Sequence, residues 1–314
     1  MEYLILLVSL AGIVFGADYL VAGAVSIAKR FKISDFIIGA VIVGVGTSMP
    51  EFVVSFIGAI KGNADVAIGN VVGSNIFNTL GILGLTAILF PIAISRENMK
   101  FELPFCIVVS LLLTILALNF FVGGEAVIGR VDGLILLLCF ALFMWHSLHK
   151  GESSSKSESA STTISTPLWR GVVKVVVGLA VLITSCDVFV DNAVLIAKSF
   201  GVSDAFTSLT LIACGTSLPE LAASLAAAMK RNTQLALGNV IGSNIFNITW
   251  ILGLSSQVMP LNSSGITLVD YVVMTIAAIL PLLFGFRGKI GRLGGAMLFI
   301  CFVIYTWFLL STQI

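Results

Sequence analysis

The chain has 314 residues, 58% of them hydrophobic and only 11% charged, with 17 Lys and Arg against 16 Asp and Glu. A soluble domain is about 25% charged, so a chain with mean hydropathy +1.10 cannot coat a water-facing surface. A net charge of +1 without a basic patch or stacking motif points to no nucleic-acid partner.

Apolar runs near 20 residues, the length that crosses about 30 Å of hydrocarbon, recur along the whole chain. The first covers roughly 3–28. Its start, MEYLILLVSL, has an acidic residue where a signal peptide needs basic ones, so it reads as a retained first helix. Spans at 34–60 and 65–91 follow and carry the stretches GTSMPE (Gly46–Glu51) and GNVVGSNIFN (Gly69–Asn78). Two plainer spans, 101–121 and 126–147, lead to Gly151–Thr166, where ten of sixteen residues are Ser or Thr. That segment reads as a hydrophilic linker. Beyond it lie spans at 169–197, 205–229, 234–260, 266–286 and 291–312, with GTSLPE (Gly215–Glu220) in the second and GNVIGSNIFN (Gly238–Asn247) in the third. The period-two alternation of a membrane barrel is absent. The expected fold is therefore an all-α polytopic membrane protein of ten transmembrane helices. Residues 1–148 form a first five-helix repeat, 149–168 a linker and 169–314 a second repeat.

The two motif pairs are 169 residues apart, and Gly46–Gly84 matches Gly215–Gly253 at 22 of 39 positions without a gap. The match extends to Asp18/Asp187, Lys29/Lys198 and Asp35/Asp204. With the N-terminus outside, fourteen Lys and Arg fall on the cytoplasmic side and three (Lys61, Arg130, Lys198) outside, the bias that sets topology. Both termini are then external and the linker cytoplasmic. Five spans per repeat is an odd number, so the second repeat enters from the opposite face. Such inverted repeats belong to transporters whose site lies near the midplane.

Glu51 and Glu220 fall near the centres of their spans, where an ionised carboxylate costs several kcal/mol unless met by a partner, a proton or water. Pro50 and Pro219 have no N–H for the carbonyls of Gly46 and Gly215. The turns Gly44–Gly46 and Ala213–Gly215 are expected to open and offer carbonyl oxygens. Thr47 and Glu51 share a helix face with Ser48 beside them; Thr216, Ser217 and Glu220 repeat this. In the second motif Asn70, Ser74 and Asn78, four apart, form one stripe, mirrored by Asn239, Ser243 and Asn247. Gly69, Gly73, Gly238 and Gly242 form a stripe for close helix packing. Asn75 and Asn244 lie off the stripe and are expected to bond to neighbouring backbone.

These are hard oxygen donors with no Cys or His among them, which suits Ca²⁺ or Na⁺ and argues against zinc or copper. The five cysteines (Cys106, Cys139, Cys186, Cys214, Cys301) stand singly in apolar runs and read as small buried hydrophobes. His146 and His149 sit at the linker's edge, away from both motifs, so Ser and Glu lack a base for hydrolysis and an intramembrane enzyme is disfavoured.

The paired motifs GTSMPE/GNVVGSNIFN and GTSLPE/GNVIGSNIFN resemble the two alpha-repeats of the calcium/cation antiporter superfamily, particularly the prokaryotic sodium/calcium exchangers. The resemblance covers essentially all ten spans. It implies that Glu51 and Glu220 coordinate Ca²⁺, assisted by Thr47 and Thr216. Ser48, Ser74, Ser217 and Ser243, with carbonyls near Gly44 and Ala213, would complete flanking Na⁺ sites, with Asn78 and Asn247 in the middle of the cluster. Several family members, potassium-dependent exchangers among them, have an aspartate at the position of Asn247, and an amide there weakens a potassium-dependent reading. The activity implied is antiport of Na⁺ for Ca²⁺ by alternating access in the cell membrane, a prokaryotic inner membrane. No cofactor and no protein partner are implied; the ions and the lipid bilayer are the partners. Proton/calcium exchange on the same carboxylates and a Glu-lined cation channel stay open as alternatives.

Overall fold

A computed structural model describes residues 2–31, 33–118, 127–150, 167–199, 215–263 and 266–312. Ala213, Asp204, Cys214, the linker 151–166 and the first half of the seventh span lie outside the described residues. The described residues are mostly helical: α1 Glu2–Phe31, α2 Asp35–Thr47, α3 Met49–Ile60, α4 Ala64–Leu89, α5 Asn98–Ala117, α6 Arg130–Lys150, α7 Leu168–Ser199, α8 Leu218–Met229, α9 Thr233–Val258, α10 Leu268–Gly285 and α11 Arg292–Thr312. Among the described residues eight helices are long and apolar enough to cross a membrane. The pair α2 and α3, bent by 50°, makes a ninth. The visible part of the seventh expected span is α8. The protein is an all-α polytopic membrane protein.

Two departures from the expected spans share a physical cause. The helix of the fifth expected span, α6, begins at Arg130 instead of 126, because Val127–Ile128 (β2) is extended and pairs antiparallel with Leu261–Asn262 (β3). Likewise Ile92–Ala93 (β1) pairs with Lys289–Ile290 (β4). Each ladder is two residues long, too short for a sequence period to reveal, and it satisfies backbone polar groups where the helical ladder stops.

The helices fall into two compact units, one of Met1–Pro50 with His146–Asn239 and the other of Glu51–Trp145 with Val240–Ile314. Each unit draws on both halves of the sequence repeat.

In the first unit, α1 and α7 pack antiparallel at a distance that only glycine permits. A β-carbon on Gly16 would lie 2.6 Å from Leu182 N, and one on Gly178 2.5 Å from Leu20 N. Ala17, Leu20, Val21 and Ala24 of α1 are buried along this seam and against α8. Gly39 and Gly238 let α2 meet the start of α9: a β-carbon on Gly238 would overlap the carbonyl of Phe36. The packing role expected of the glycine stripe is thus present at Gly238, whereas Gly73 has open space before it.

In the second unit, α11 packs on the end of α4, where a β-carbon on Gly84 would come 2.9 Å from Phe299 N and one on Gly295 2.7 Å from Gly84 O. α5 lies against α10, and Phe140 meets both Phe246 and Trp250 of α9. The start of α10 is fixed by a reciprocal cap. Asp270 N donates to Thr267 Oγ1 (3.4 Å) and Thr267 N to Asp270 Oδ2 (2.8 Å), while Tyr305 of α11 donates to Asp270 Oδ1 (2.7 Å).

Candidate functional site

The break between α2 and α3 positions the first motif. Ser34 caps α2 by accepting from Ile37 N (3.3 Å). The helix widens into a π turn over Gly39–Gly44 and ends at Thr47. Ser48, at φ −80 and ψ 9, carries the bend. Pro50 therefore lies in the first turn of a new helix, where its missing N–H costs nothing. In the second repeat Ser217 has nearly the same conformation, φ −92 and ψ 7, with Pro219 in the first turn of α8.

One consequence differs from the sequence expectation. Gly44 O is not released from the helix: it accepts from Ser48 N (3.0 Å) and from Thr47 Oγ1 (3.3 Å). Proline acts here by restarting the helix after Ser48, so the carbonyl that loses its donor is not Gly44's.

Glu51 and Glu220 are both 0% exposed. In the first unit, Ser48 Oγ donates to Glu220 Oε1 (2.7 Å), which joins the two repeats' acidic motifs. Asn239 Nδ2 donates to Glu220 O (3.0 Å) and Ser224 Oγ (2.9 Å), and Asn239 Oδ1 accepts from Thr47 Oγ1 (3.3 Å). Thr47, Ser48 and Ser217 are buried there, and Thr216 is half-buried with no hydrogen-bond partner for its hydroxyl. In the second unit, Asn70 Nδ2 donates to Glu51 O (3.1 Å) and Ser55 Oγ (2.9 Å), the same bracket 169 residues earlier. Asn70 and Asn239, two members of the polar stripe, thus clamp the backbone of the two glutamates.

The rest of that stripe lies in the second unit. Ser74, Asn78, Ser243 and Asn247 are all buried on α4 and α9, and Asn78 and Asn247 stand in the opening residues of two π turns, Phe77–Leu83 and Asn247–Leu252. Asn75 and Asn244, which a helical stripe leaves aside, turn out to hold them. Asn78 Nδ2 donates to Asn244 Oδ1 (3.1 Å) and Asn247 Nδ2 to Asn75 Oδ1 (3.1 Å). Asn75 also bonds to backbone, as expected, through Asn244 O (3.1 Å), whereas Asn244 donates to the Thr79 hydroxyl (2.7 Å). Sequence spacing offered one signal for this pair: both copies of the second motif contain the same asparagine three residues before the last one. The oxygens Asn78 Oδ1 and Asn247 Oδ1 are buried and no donor reaches them.

Among the described residues no three His, Cys, Asp or Glu side chains gather. A cation held by this chain would depend on carboxylate, hydroxyl and amide oxygens, the donor set that hard cations take.

Comparison with known proteins places the chain in a family. The sequence profile of the sodium/calcium exchanger protein family matches residues 1–149 and 170–311. The chain is 39% identical to a putative antiporter, CaxA, of Alkalimonas amylolytica over 98% of both chains. It is 30% identical to the sodium/calcium exchanger MaX1 of Methanosarcina acetivorans over 97% of both. Among solved structures, the sodium-calcium exchanger NCX_Mj superposes with TM-score 0.83 at 32% identity, over 96% of this chain and 97% of that one. The relatives are exchangers and antiporters, not enzymes, and this chain belongs to the sodium/calcium exchanger protein family.

Proposed function

We propose that the chain exchanges Na⁺ for Ca²⁺ across a cell membrane, with Glu51 and Glu220 as the charges that hold Ca²⁺. Thr47 and Thr216 assist them. Ser48, Ser74, Ser217 and Ser243, with the carbonyl of Ala213, serve Na⁺, and Asn78 and Asn247 give amide oxygens to the ion. Antiport of a cation against Ca²⁺ follows from the family; the driving ion and the residues are this proposal's own.

One observation carries the reading: two glutamates at repeat-equivalent positions are both completely buried, each with its backbone carbonyl bonded to an asparagine, and the Glu220 carboxylate accepts from the Ser48 hydroxyl. A buried anion is stable only when its charge is met. Two carboxylates match the charge of one Ca²⁺, and Na⁺ suits the same oxygens. Two anions without a cation would be costly to carry past hydrocarbon, so the protein changes its facing when an ion is bound, and exchange prevails over leak. The closely packed α1 and α7 hold none of the proposed ligands and are the elements that slide. The five-helix halves enter the membrane from opposite sides, both termini are external, and the linker is cytoplasmic, in keeping with the charge bias.

Reconstituted vesicles test this. An imposed Na⁺ gradient at fixed pH drives radiocalcium uptake. Uptake driven only by a pH gradient would assign the carboxylates to H⁺/Ca²⁺ exchange, and flux without any counter-ion would mean a channel.

A further inference from the structure

The asparagine lattice in the second unit has a consequence for how the ion is recognised, and it rests on the function proposed above. The geometry points to Asn75 and Asn244 as positioning residues. Neither touches the cation, and each fixes the side-chain amide of the ligand asparagine on the facing helix so that its oxygen, not its nitrogen, is turned to the ion.

An asparagine amide has two nearly isosteric orientations, one offering oxygen and the other N–H where the first offered its opposite. Nothing in the shape of Asn247 selects between them. The choice is made by a chain of bonds that starts at a backbone carbonyl, which can only accept. Asn244 O therefore obliges Asn75 to present Nδ2 (3.1 Å). Asn75 Oδ1 is then left facing Asn247, and obliges Asn247 to present Nδ2 (3.1 Å). Asn247 Oδ1 must point the other way, where it is buried with no donor in reach. A rotated Asn247 would set oxygen against oxygen at Asn75 and aim an N–H at the ion.

The mirrored chain runs through Asn244, whose Nδ2 donates to Thr79 Oγ1 (2.7 Å) and whose Oδ1 accepts from Asn78 Nδ2 (3.1 Å). Asn78 Oδ1 is again a buried acceptor without a donor. Buried acceptors in this condition are uncommon and each calls for a cause. Two at repeat-equivalent positions, each held in place by the other helix, have a common cause in a bound cation. The anchors differ: Thr79 has Ile248 as its repeat counterpart, and a hydroxyl both donates and accepts, so the Asn244 side is held less firmly than the Asn75 side.

The experiment uses the full chain in vesicles and reads the apparent KM for Ca²⁺ against the maximal rate. Asn75→Leu removes the acceptor for Asn247 Nδ2 and should raise KM about tenfold, with the maximal rate per inserted protein within about twofold. This corresponds to one buried hydrogen bond. Asn75→Asp, protonated in this buried setting, donates its O–H to Asn244 O in place of Nδ2 and keeps the acceptor for Asn247 Nδ2, so it should return KM to near wild type, a rescue that a packing role would not give. Thr79→Val, a milder change, should raise KM by a few-fold through Asn244. A Leu variant with unchanged KM, or an Asp variant no better than Leu, overturns the assignment. Where the Leu variant fails to insert, an unchanged KM in Thr79→Val overturns it. Wild-type protein that moves no Ca²⁺ would instead overturn the proposed function, and the two failures are read from different samples.

Discussion

Ser48 and Glu220 stand 172 positions apart in sequence, yet the Ser48 hydroxyl donates to the Glu220 carboxylate at 2.7 Å. The bond joins the last residue of the first GTS to the helix that opens with LPE in the second repeat. A hydrogen bond to a charged group contributes roughly 1.5–3 kcal/mol. Ser48→Ala should therefore weaken cation binding about tenfold or more, seen as a raised apparent KM for Na⁺ in vesicle exchange, with insertion unchanged. An unaltered KM would remove Ser48 from the ion's surroundings.

Glu51→Gln and Glu220→Gln keep volume and one oxygen but remove the charge. Each should reduce Ca²⁺ exchange by at least about a hundredfold, because a desolvated carboxylate–cation interaction amounts to several kcal/mol. The protein should still run as a folded species on size exclusion. Full exchange in either variant would exclude that glutamate from binding.

Asn239 makes three side-chain bonds in a fully buried setting, and Asn70 makes two in a half-buried one. Replacing either with Leu leaves partners unsatisfied, at roughly 1–3 kcal/mol for a buried group. Asn239→Leu should lower the melting temperature in detergent more than Asn70→Leu does. The reverse order would show that burial does not set the cost here.

Gly178→Ala pits two effects against each other. Alanine favours a helix by about 1 kcal/mol over glycine, but its β-carbon would lie 2.5 Å from Leu20 N, and backbone cannot step aside cheaply. Overpacking of this kind costs about 1–3 kcal/mol, so the net effect should be destabilising by thermal melting. A more stable variant would mean that α1 and α7 separate with ease.

Arg231 has φ 60, the left-handed region, where its repeat counterpart Gly62 has φ 77. The turns are otherwise alike: Arg231 N bonds to Ala228 O at 2.9 Å and Gly62 N to Ala59 O at 3.0 Å. Glycine enters this region without the side-chain clash that costs other residues about 1 kcal/mol. Arg231→Gly should raise the melting temperature by a few degrees, and a fall would reveal contacts of the arginine that outweigh its backbone.

Much of this architecture is legible in the sequence, because lipid makes hydropathy nearly a direct reading of the helices and the repeat doubles every signal. The bend after Thr47 was readable from Pro50. Its mechanics were not, since proline in a helix interior and proline in the first turn of a new helix look alike in a sequence. The burial of Glu51 and Glu220 follows from their place in apolar runs. The work of Asn75 does not, because its partners lie on another helix 169 and 172 positions away and helical periodicity speaks only of one helix. The two-residue ladders escape for a similar reason: pairing is long-range and leaves no local pattern.

The π turns in α4 and α9 each hold, in effect, one residue more than a regular helix of the same rise would need. Deleting a single residue between Thr79 and Leu83 would let α4 close into a regular helix of nearly the same rise, with Gly84 still facing Gly295. A shortened chain of this kind would keep its α4–α11 seam and lose only the widened turn that begins beside Asn78, so the spare residue serves the polar turn and not the packing beyond it.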